Sequence, residues 1–223
     1  SLTYLKRLPA DVIKIDQSFV REMLVSVDDL VIVEGVLGLA RAFQREVVAE
    51  GVETTEHARL LLQLECEQAQ GYGIARPMPA ADLAPWIRGW RPEASWSAFR
   101  ALRWDSADYP LLGAEVEHRS WISNLLVAVR DGKPPALTVF DGRTCRFCNW
   151  YNGRGMSVYG ALPSLAAVES QHRELHRLAQ HFGALFDAGK EEEALASVVD
   201  LLSHRDKLLR DIAALQIDIG VPR

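Results

Sequence analysis

The stretch from Val47 to Pro79, VVAEGVETTEHARLLLQLECEQAQGYGIARPMP, constrains the fold more than any other part of this chain. A short apolar run, Val47-Val48-Ala49, stops abruptly at the polar Glu50-Gly51-Val52-Glu53-Thr54. Ala58, Leu61 and Leu62 then recur at helical spacing between Thr55 and Leu64, and a second strand-like run ends in Gln70-Gly71-Tyr72. Strand, polar tip, helix and strand again make the β–α–β unit of a parallel sheet, with polar residues at the carboxyl ends of the strands. In a (β/α) barrel that rim carries the catalytic groups. An ordinary α/β turn has the same pattern.

The preceding residues extend the unit. Strands are expected at Asp11–Asp16, Glu46–Glu50 and Gln68–Ile74, with helices near Asp28–Phe43 and Thr55–Leu64. After the third strand, Pro77 and Pro79 break the chain, and Ala81–Trp86 forms a short closing helix. A (β/α) barrel takes about 250 residues, and this pattern fills only the first 90 or so. The expectation is therefore a C-terminal fragment of a barrel. Asp16 has the place and type of a helix cap.

The wording of these segments resembles the EAL domains, the cyclic-di-GMP phosphodiesterases. Leu8-Pro9, then Val12-Ile13-Lys14-Ile15-Asp16-Gln17-Ser18-Phe19-Val20, then AEGVET and AQGYGIARPMP look like the family's C-terminal part, in the right order. The resemblance covers about residues 1–90. It implies hydrolysis of cyclic-di-GMP to linear pGpG, with Mg²⁺ or Mn²⁺ in the complete barrel activating water and offsetting charge on the phosphate oxygens. Carried over singly, Lys14 matches the lysine beside the attacking water, Glu50 and Glu53 match loop acids that order the metal site, and Gln70 matches a substrate-side position. The family's other metal-binding acids and Asn have no counterpart among these 223 residues. That leaves open a catalytically degenerate domain that only binds cyclic-di-GMP.

From Gly89 to Pro110 the periodicity fails. Four of the six Trp lie between positions 86 and 104, more than a solvated linker should hold. The segment 91–111 is expected to be a Trp-rich connector packed on the barrel end, with a short helix near Ser95–Leu102. An apolar surface for a partner is the other reading.

The pattern changes again at Leu112. A helix to about Arg130 places Ala114, His118, Trp121 and Leu125 on one stripe, and Asp131-Gly132-Lys133-Pro134-Pro135 ends it. After Thr144-Cys145-Arg146-Phe147-Cys148-Asn149-Trp150-Tyr151, the residues Asn152-Gly153-Arg154-Gly155 read as a turn. A long helix from about Ser164 to Ala188 carries Leu165, Val168, His172, Leu175, His176, Ala179 and Phe182 on one face. His181 falls on the opposite face. A last helix runs from about Lys190 to Ile217, with His204 at its flank.

Three histidines on facing apolar stripes each need a buried partner, and a metal supplies one for all. One thiolate and three imidazoles suit tetrahedral Zn²⁺, with no open catalytic position. His118-Arg119-Ser120-Trp121, Cys145-x-Phe147-x-x-Trp150-Tyr151 and His172-x-x-x-His176 resemble the CZB domain, the chemoreceptor zinc-binding domain. The steps from His118 to Cys145 and from Cys145 to His172 are both 27 residues. The resemblance implies a four-helix bundle over 112–219, with zinc on His118, Cys145, His172 and His176, and a homodimer. Cys148 stands where the family usually has Gly, which leaves open a Cys145/Cys148 disulfide or a swap of ligands.

Composition bounds the partners. A net charge of −5 has no nucleic-acid signature, so no DNA or RNA partner is expected. No apolar run reaches the ~20 residues that span a bilayer. Three cysteines, Cys66, Cys145 and Cys148, are too few for a disulfide framework, which favours a reducing, cytoplasmic setting. The combined expectation is an α/β segment followed by an all-α unit, part of a cyclic-di-GMP phosphodiesterase regulated by zinc or by oxidation of its thiolate. An interaction scaffold with structural zinc is the third reading.

Overall fold

The structure, a computed structural model, describes residues 9–100, 102–130 and 145–222. The loop expected from Asp131 to Pro135 and the approach to Cys145 through Thr144 lie outside the described residues, as does Leu8. The chain divides into two compact units between Trp104 and Asp105.

The first unit is α/β. β1 (Val12–Ile15), β2 (Glu46–Glu50) and β3 (Gln68–Gln70) form a parallel sheet in the order β1-β2-β3, with Lys14 opposite Val48 and Glu50 opposite Gln70. Each crossover is helical, as parallel pairing requires. α1 (Gln17–Glu22) starts at Asp16, whose Oδ1 accepts the Ser18 amide at 2.8 Å, so Asp16 is the helix cap its position indicated. α2 (Val27–Ala42) is capped by Ser26 and buries Leu30, Val33, Leu37 and Ala40, one face at helical spacing. α3 (Thr55–Gln63) is capped by Thr54 and buries Ala58, Leu60 and Leu61.

The third strand is shorter than expected. It stops at Gln70, and Gly71–Ile74 fold into a turn in which the Gly73 amide donates to the Val52 carbonyl at 2.9 Å. A longer strand would lose that tie to the loop following β2. α4 (Ala80–Gly89) and α5 (Ala94–Arg100) follow. α5 packs on α3, with the Arg59 guanidinium 5.5 Å from the Phe99 ring centre. Trp86, Trp90 and Trp96 form a chain of tilted ring contacts at 5.8 and 6.4 Å. Trp96 and Phe99 of the connector thus belong to the first unit's own packing.

The second unit is helical. α6 (Tyr109–Arg130) begins three residues before the expected Leu112 because a 3₁₀ turn, Ser106–Asp108, leads into it. It buries Leu111, Leu112, Val116, Ile122 and Leu125. α7 (Arg146–Trp150) runs through a single π turn, Tyr151–Gly155, into α8 (Met156–Tyr159). The turn expected at Asn152–Gly155 is therefore helical, wound one residue wide. A side chain at Gly155 would sit 3.0 Å from the Trp150 ring, so the glycine lets the indole lie against the backbone. α9 (Pro163–Asp187) opens with proline at its first position, where a missing N–H costs nothing. α10 (Glu191–Ile219) packs along α9 and against α6, where the Gln216 amide donates to the buried Glu115 at 3.2 Å. Among the described residues, no helix is long and apolar enough to cross a membrane.

Candidate metal centre and a polar cleft

Two groups of functional side chains emerge, one in each unit. In the helical unit, the helical stripes deliver three imidazoles to one point. His118 projects from α6, His172 and His176 from successive turns of α9, and Cys145 from the residue capping α7. One donor atom from each of the four lies within 4.8 Å of all the others. The Cys145 sulfur is 3.2 Å from His172 Nε2, and the ring centres of His118 and His172 stand 4.8 Å apart. His181 is exposed and outside the group, as its helix face requires, and His204 bonds its own helix at the Asp200 carbonyl.

Neighbouring groups orient these rings. His118 is 3% exposed, and its Nδ1 lies 2.7 Å from the Ala114 carbonyl, so that nitrogen carries the proton and Nε2 keeps its lone pair. Trp121 stacks on His176 at 5.9 Å, and Phe147 packs on His172 at 4.7 Å. Glu117 accepts the Arg146 amide at 3.2 Å, which ties the start of α7 to α6 beside His118.

Burial disfavours charge on three of the four side chains. Burial pushes His118 down to about 4 and His172 down to about 2, the latter helped by the neighbouring imidazoles. Burial pushes the Cys145 thiol up to about 12. Without a cation, His118 and His172 are neutral imidazoles and Cys145 is a thiol. These are the ligand forms zinc takes, apart from the thiol proton that it displaces. A tetrahedral zinc with bonds of ~2.0–2.3 Å sets its donor atoms roughly 3.3–3.8 Å apart. A cluster already within 4.8 Å fits with small rotamer shifts. Glu117, His118, Trp121, Cys145 and His176 enclose a cavity of about 10 Å³ between them.

The first unit's group is more open. Glu50 at the end of β2 pairs with Lys14 of β1 and accepts the Gln70 amide of β3 at 3.1 Å, so three neighbouring strands contribute to one polar cluster. Lys14 remains 57% exposed and Glu50 25%. Gly51 makes the turn out of β2 with φ +78°, and a Cβ there would meet that of Gln17 at 2.6 Å. Glu53 stands apart from the cluster, paired with Arg21 at 3.1 Å, and is not the cap of α3. Gln17, Arg21, Glu50, Glu53, Gln70 and Arg76 are among the residues lining a cleft of about 680 Å³. Arg21 and Arg76 were not foreseen. The Gln17–Arg21 step of four residues, one face of α1, was the available signal for Arg21, whereas Arg76 arrives by the turn after β3 over the Tyr72 ring at 4.6 Å.

The two units correspond to two families. Residues 1–77 match the EAL domain, and residues 118–182 match the chemoreceptor zinc-binding domain. The first unit thus contains a segment similar to EAL domains, and the second a segment similar to the chemoreceptor zinc-binding domain. Its relatives include the cyclic di-GMP phosphodiesterase NbdA of Pseudomonas aeruginosa, 40% identical over 95 residues, which are 43% of this chain and 12% of NbdA. The bifunctional diguanylate cyclase/cyclic di-GMP phosphodiesterase MucR of the same organism is 46% identical over 83 residues, 37% of this chain and 12% of MucR. A solved PaMucR phosphodiesterase in complex with c-di-GMP is 46% identical, over 37% of this chain and 34% of that one, with a TM-score of 0.36. The chain spans 11–15% of the length of the curated relatives it matches.

Proposed function

We propose that this chain is the zinc-regulated part of a cyclic-di-GMP phosphodiesterase, with one zinc held by His118, Cys145, His172 and His176. The observation that carries the reading is the meeting of those four donors within 4.8 Å in a desolvated pocket. With four protein ligands zinc leaves no open position, so it supplies structure and a sensed state rather than hydrolysis. The helical unit over 112–219 is a four-helix bundle in this reading, residues 91–111 connect, and residues 1–90 are the closing part of a (β/α) barrel. In the barrel, Lys14 lies beside the attacking water, Glu50 and Glu53 order the Mg²⁺ or Mn²⁺ site, and Gln70 faces the cyclic-di-GMP. The contact of Glu50 with both Lys14 and Gln70 supports that grouping.

Metal analysis of protein purified without added zinc tests the centre. Close to one zinc per chain is expected, and a metal-free protein that takes up none on titration would overturn the reading.

A further inference from the structure

Two sulfurs stand at the start of α7, and the four-donor centre uses only one. Cys145 is 3% exposed, whereas Cys148 is half-buried and lines a cleft of about 390 Å³ together with His172, His176, Glu169 and Arg173. The cleft brings solvent to the outer side of the zinc-ligand cluster, and Cys148 is the sulfur it meets. Both cysteines are free thiols, the Cys148 amide hydrogen-bonds to the Cys145 sulfur, and the two thiols lie within reach of each other.

The local backbone decides whether they can join. In a regular helix, Cβ atoms three residues apart stand about 5–6 Å from each other, whereas a disulfide takes about 3.5–4.5 Å. Cys145 is not in the helix. It is the capping residue, with φ −66° and ψ 121°, and no side-chain hydrogen bond caps the helix there. Its side chain can swing toward Cys148 without unwinding a turn. The same swing takes its sulfur away from His172 Nε2.

We infer that Cys148 is an oxidant-entry thiol that draws Cys145 out of the metal centre as a Cys145–Cys148 disulfide. The inference rests on the zinc reading only for its consequence; the disulfide itself requires only the two thiols. A peroxide is the co-reactant. The Cys148 sulfur attacks one peroxide oxygen, the O–O bond breaks, and one water or alcohol leaves, giving a Cys148 sulfenic acid. The Cys145 sulfur then attacks the Cys148 sulfur and the S–O bond breaks, the hydroxyl leaving as water with the Cys145 thiol proton in the metal-free protein, or as hydroxide that takes a proton from solvent where Cys145 is a zinc-bound thiolate. Two thiols are oxidised by two electrons and one peroxide is reduced. Cys145 is then no longer a thiolate donor, and three imidazoles remain. Because the disulfide forms from the first oxidation product, it also keeps Cys145 from the irreversible sulfinic and sulfonic steps.

The test uses the zinc-loaded, reduced 223-residue chain, titrated with hydrogen peroxide. Zinc release is followed with a chromogenic chelator, and non-reducing peptide mass mapping reads the cross-link. Zinc loss should track a Cys145–Cys148 peptide lighter by two hydrogens, and thiol reductant should reverse both. Cys148→Ser should hold zinc when reduced and lose it at least about tenfold more slowly at the same peroxide dose. Equal rates in the two proteins, a cross-link through Cys66, or sulfinic Cys145 without a cross-link would each overturn the inference. So would a reduced Cys148→Ser or Cys148→Ala protein that holds no zinc, since Cys148 would then be a ligand. If reduced wild type holds no zinc, the zinc reading fails, and the mass map still decides the disulfide.

Discussion

Each unit buries histidine, and the two handle it differently. In the α/β unit His57 is 5% exposed and both its ring nitrogens have partners, Thr54 Oγ1 at 2.9 Å and the Arg21 carbonyl at 3.2 Å. That ring is a strut between α1 and α3. In the helical unit His118 satisfies one nitrogen on the Ala114 carbonyl, while His172 Nε2 faces the Cys145 sulfur. Burial alone therefore does not distinguish a core histidine from a ligand. The difference is where the second nitrogen points, and how many other donors point there too.

The largest expected effects break that comparison if they fail. His172→Ala should strip most of the zinc from the protein and lower its thermal midpoint, because zinc binding is part of the folding free energy of such a site. His57→Ala should leave the zinc content unchanged, as should His181→Ala. Equal zinc loss in His172→Ala and His181→Ala, read by metal analysis on folded samples, would mean that the helix faces are misassigned. The α/β unit has its own all-or-none test. Purified 223-residue protein with Mg²⁺ or Mn²⁺ should show no cyclic-di-GMP hydrolysis above the buffer blank, because the remaining metal acids of the EAL pattern are not in this sequence. Turnover would make the open cleft around Glu50 a complete site.

Next comes the polar anchor of the helical unit. Asp108 is 0% exposed, and its carboxylate accepts from Trp150 Nε1 at 2.9 Å, Arg154 at 2.8 and 3.1 Å, and the Tyr159 hydroxyl at 2.7 Å. The π turn between α7 and α8 is what aligns Trp150, Arg154 and Tyr159 on one carboxylate. Burial pushes this carboxyl up, but the hydrogen bonds from Arg154, Tyr159 and Trp150 and the Arg154 charge outweigh it and hold it below the ordinary 3.8. Asp108→Asn should cost about 2–4 kcal/mol, since it removes the charge from a buried, fully bonded pair. The pH sign follows from the depressed value. The contribution is complete above 3.8, where the unfolded carboxyl is ionised, and is lost as pH falls through the folded-state value. Wild type should therefore lose stability more steeply than Asp108→Asn on acidification below about pH 4, measured by denaturant titration at fixed pH.

Asp108 also marks where reading the sequence ran out. His118, His172 and His176 were legible because helical spacing puts each on an apolar stripe, whereas Cys145, outside any helix, came from the resemblance to the CZB pattern. Lys14, Glu50 and Gln70 came from the resemblance to the EAL segments, and Glu50 and Gln70 stand at the ends of their strands. Asp108 sits among scattered Trp, Pro and Asp, and its three partners lie 42 to 51 residues later, beyond a whole helix and outside any local window. A one-residue π insertion breaks the 3.6-residue repeat at the place where the pattern was needed, and Asn152-Gly153-Arg154-Gly155 reads as a turn for that reason. The early end of β3 was hidden for a similar cause. Gly71–Ile74 continue an alternating pattern, but the Gly73 amide bonds the Val52 carbonyl in the loop, a tertiary contact that no local window contains.

The smallest expected effect sharpens the contrast between the two polar groups. Lys14 and Glu50 form an ion pair, but Lys14 is more than half exposed and Glu50 lines a cleft open to water. Exposed pairs of this kind contribute about 0–1 kcal/mol, because the Coulomb gain is small in a high dielectric and two long side chains must be ordered to obtain it. Lys14→Met should therefore change stability by less than about 1 kcal/mol, and the change should shrink further in high salt. The same substitution leaves Glu50 with its Gln70 hydrogen bond, so no buried charge is stranded. The measurement is a denaturant titration of Lys14→Met beside Asp108→Asn at two ionic strengths. If the lysine variant loses as much as the aspartate variant, the strand-end cluster is a structural network like that around Asp108. A near-zero effect is what a cluster held at the surface for chemistry requires, since its charges must remain free to meet a metal or a substrate instead of one another.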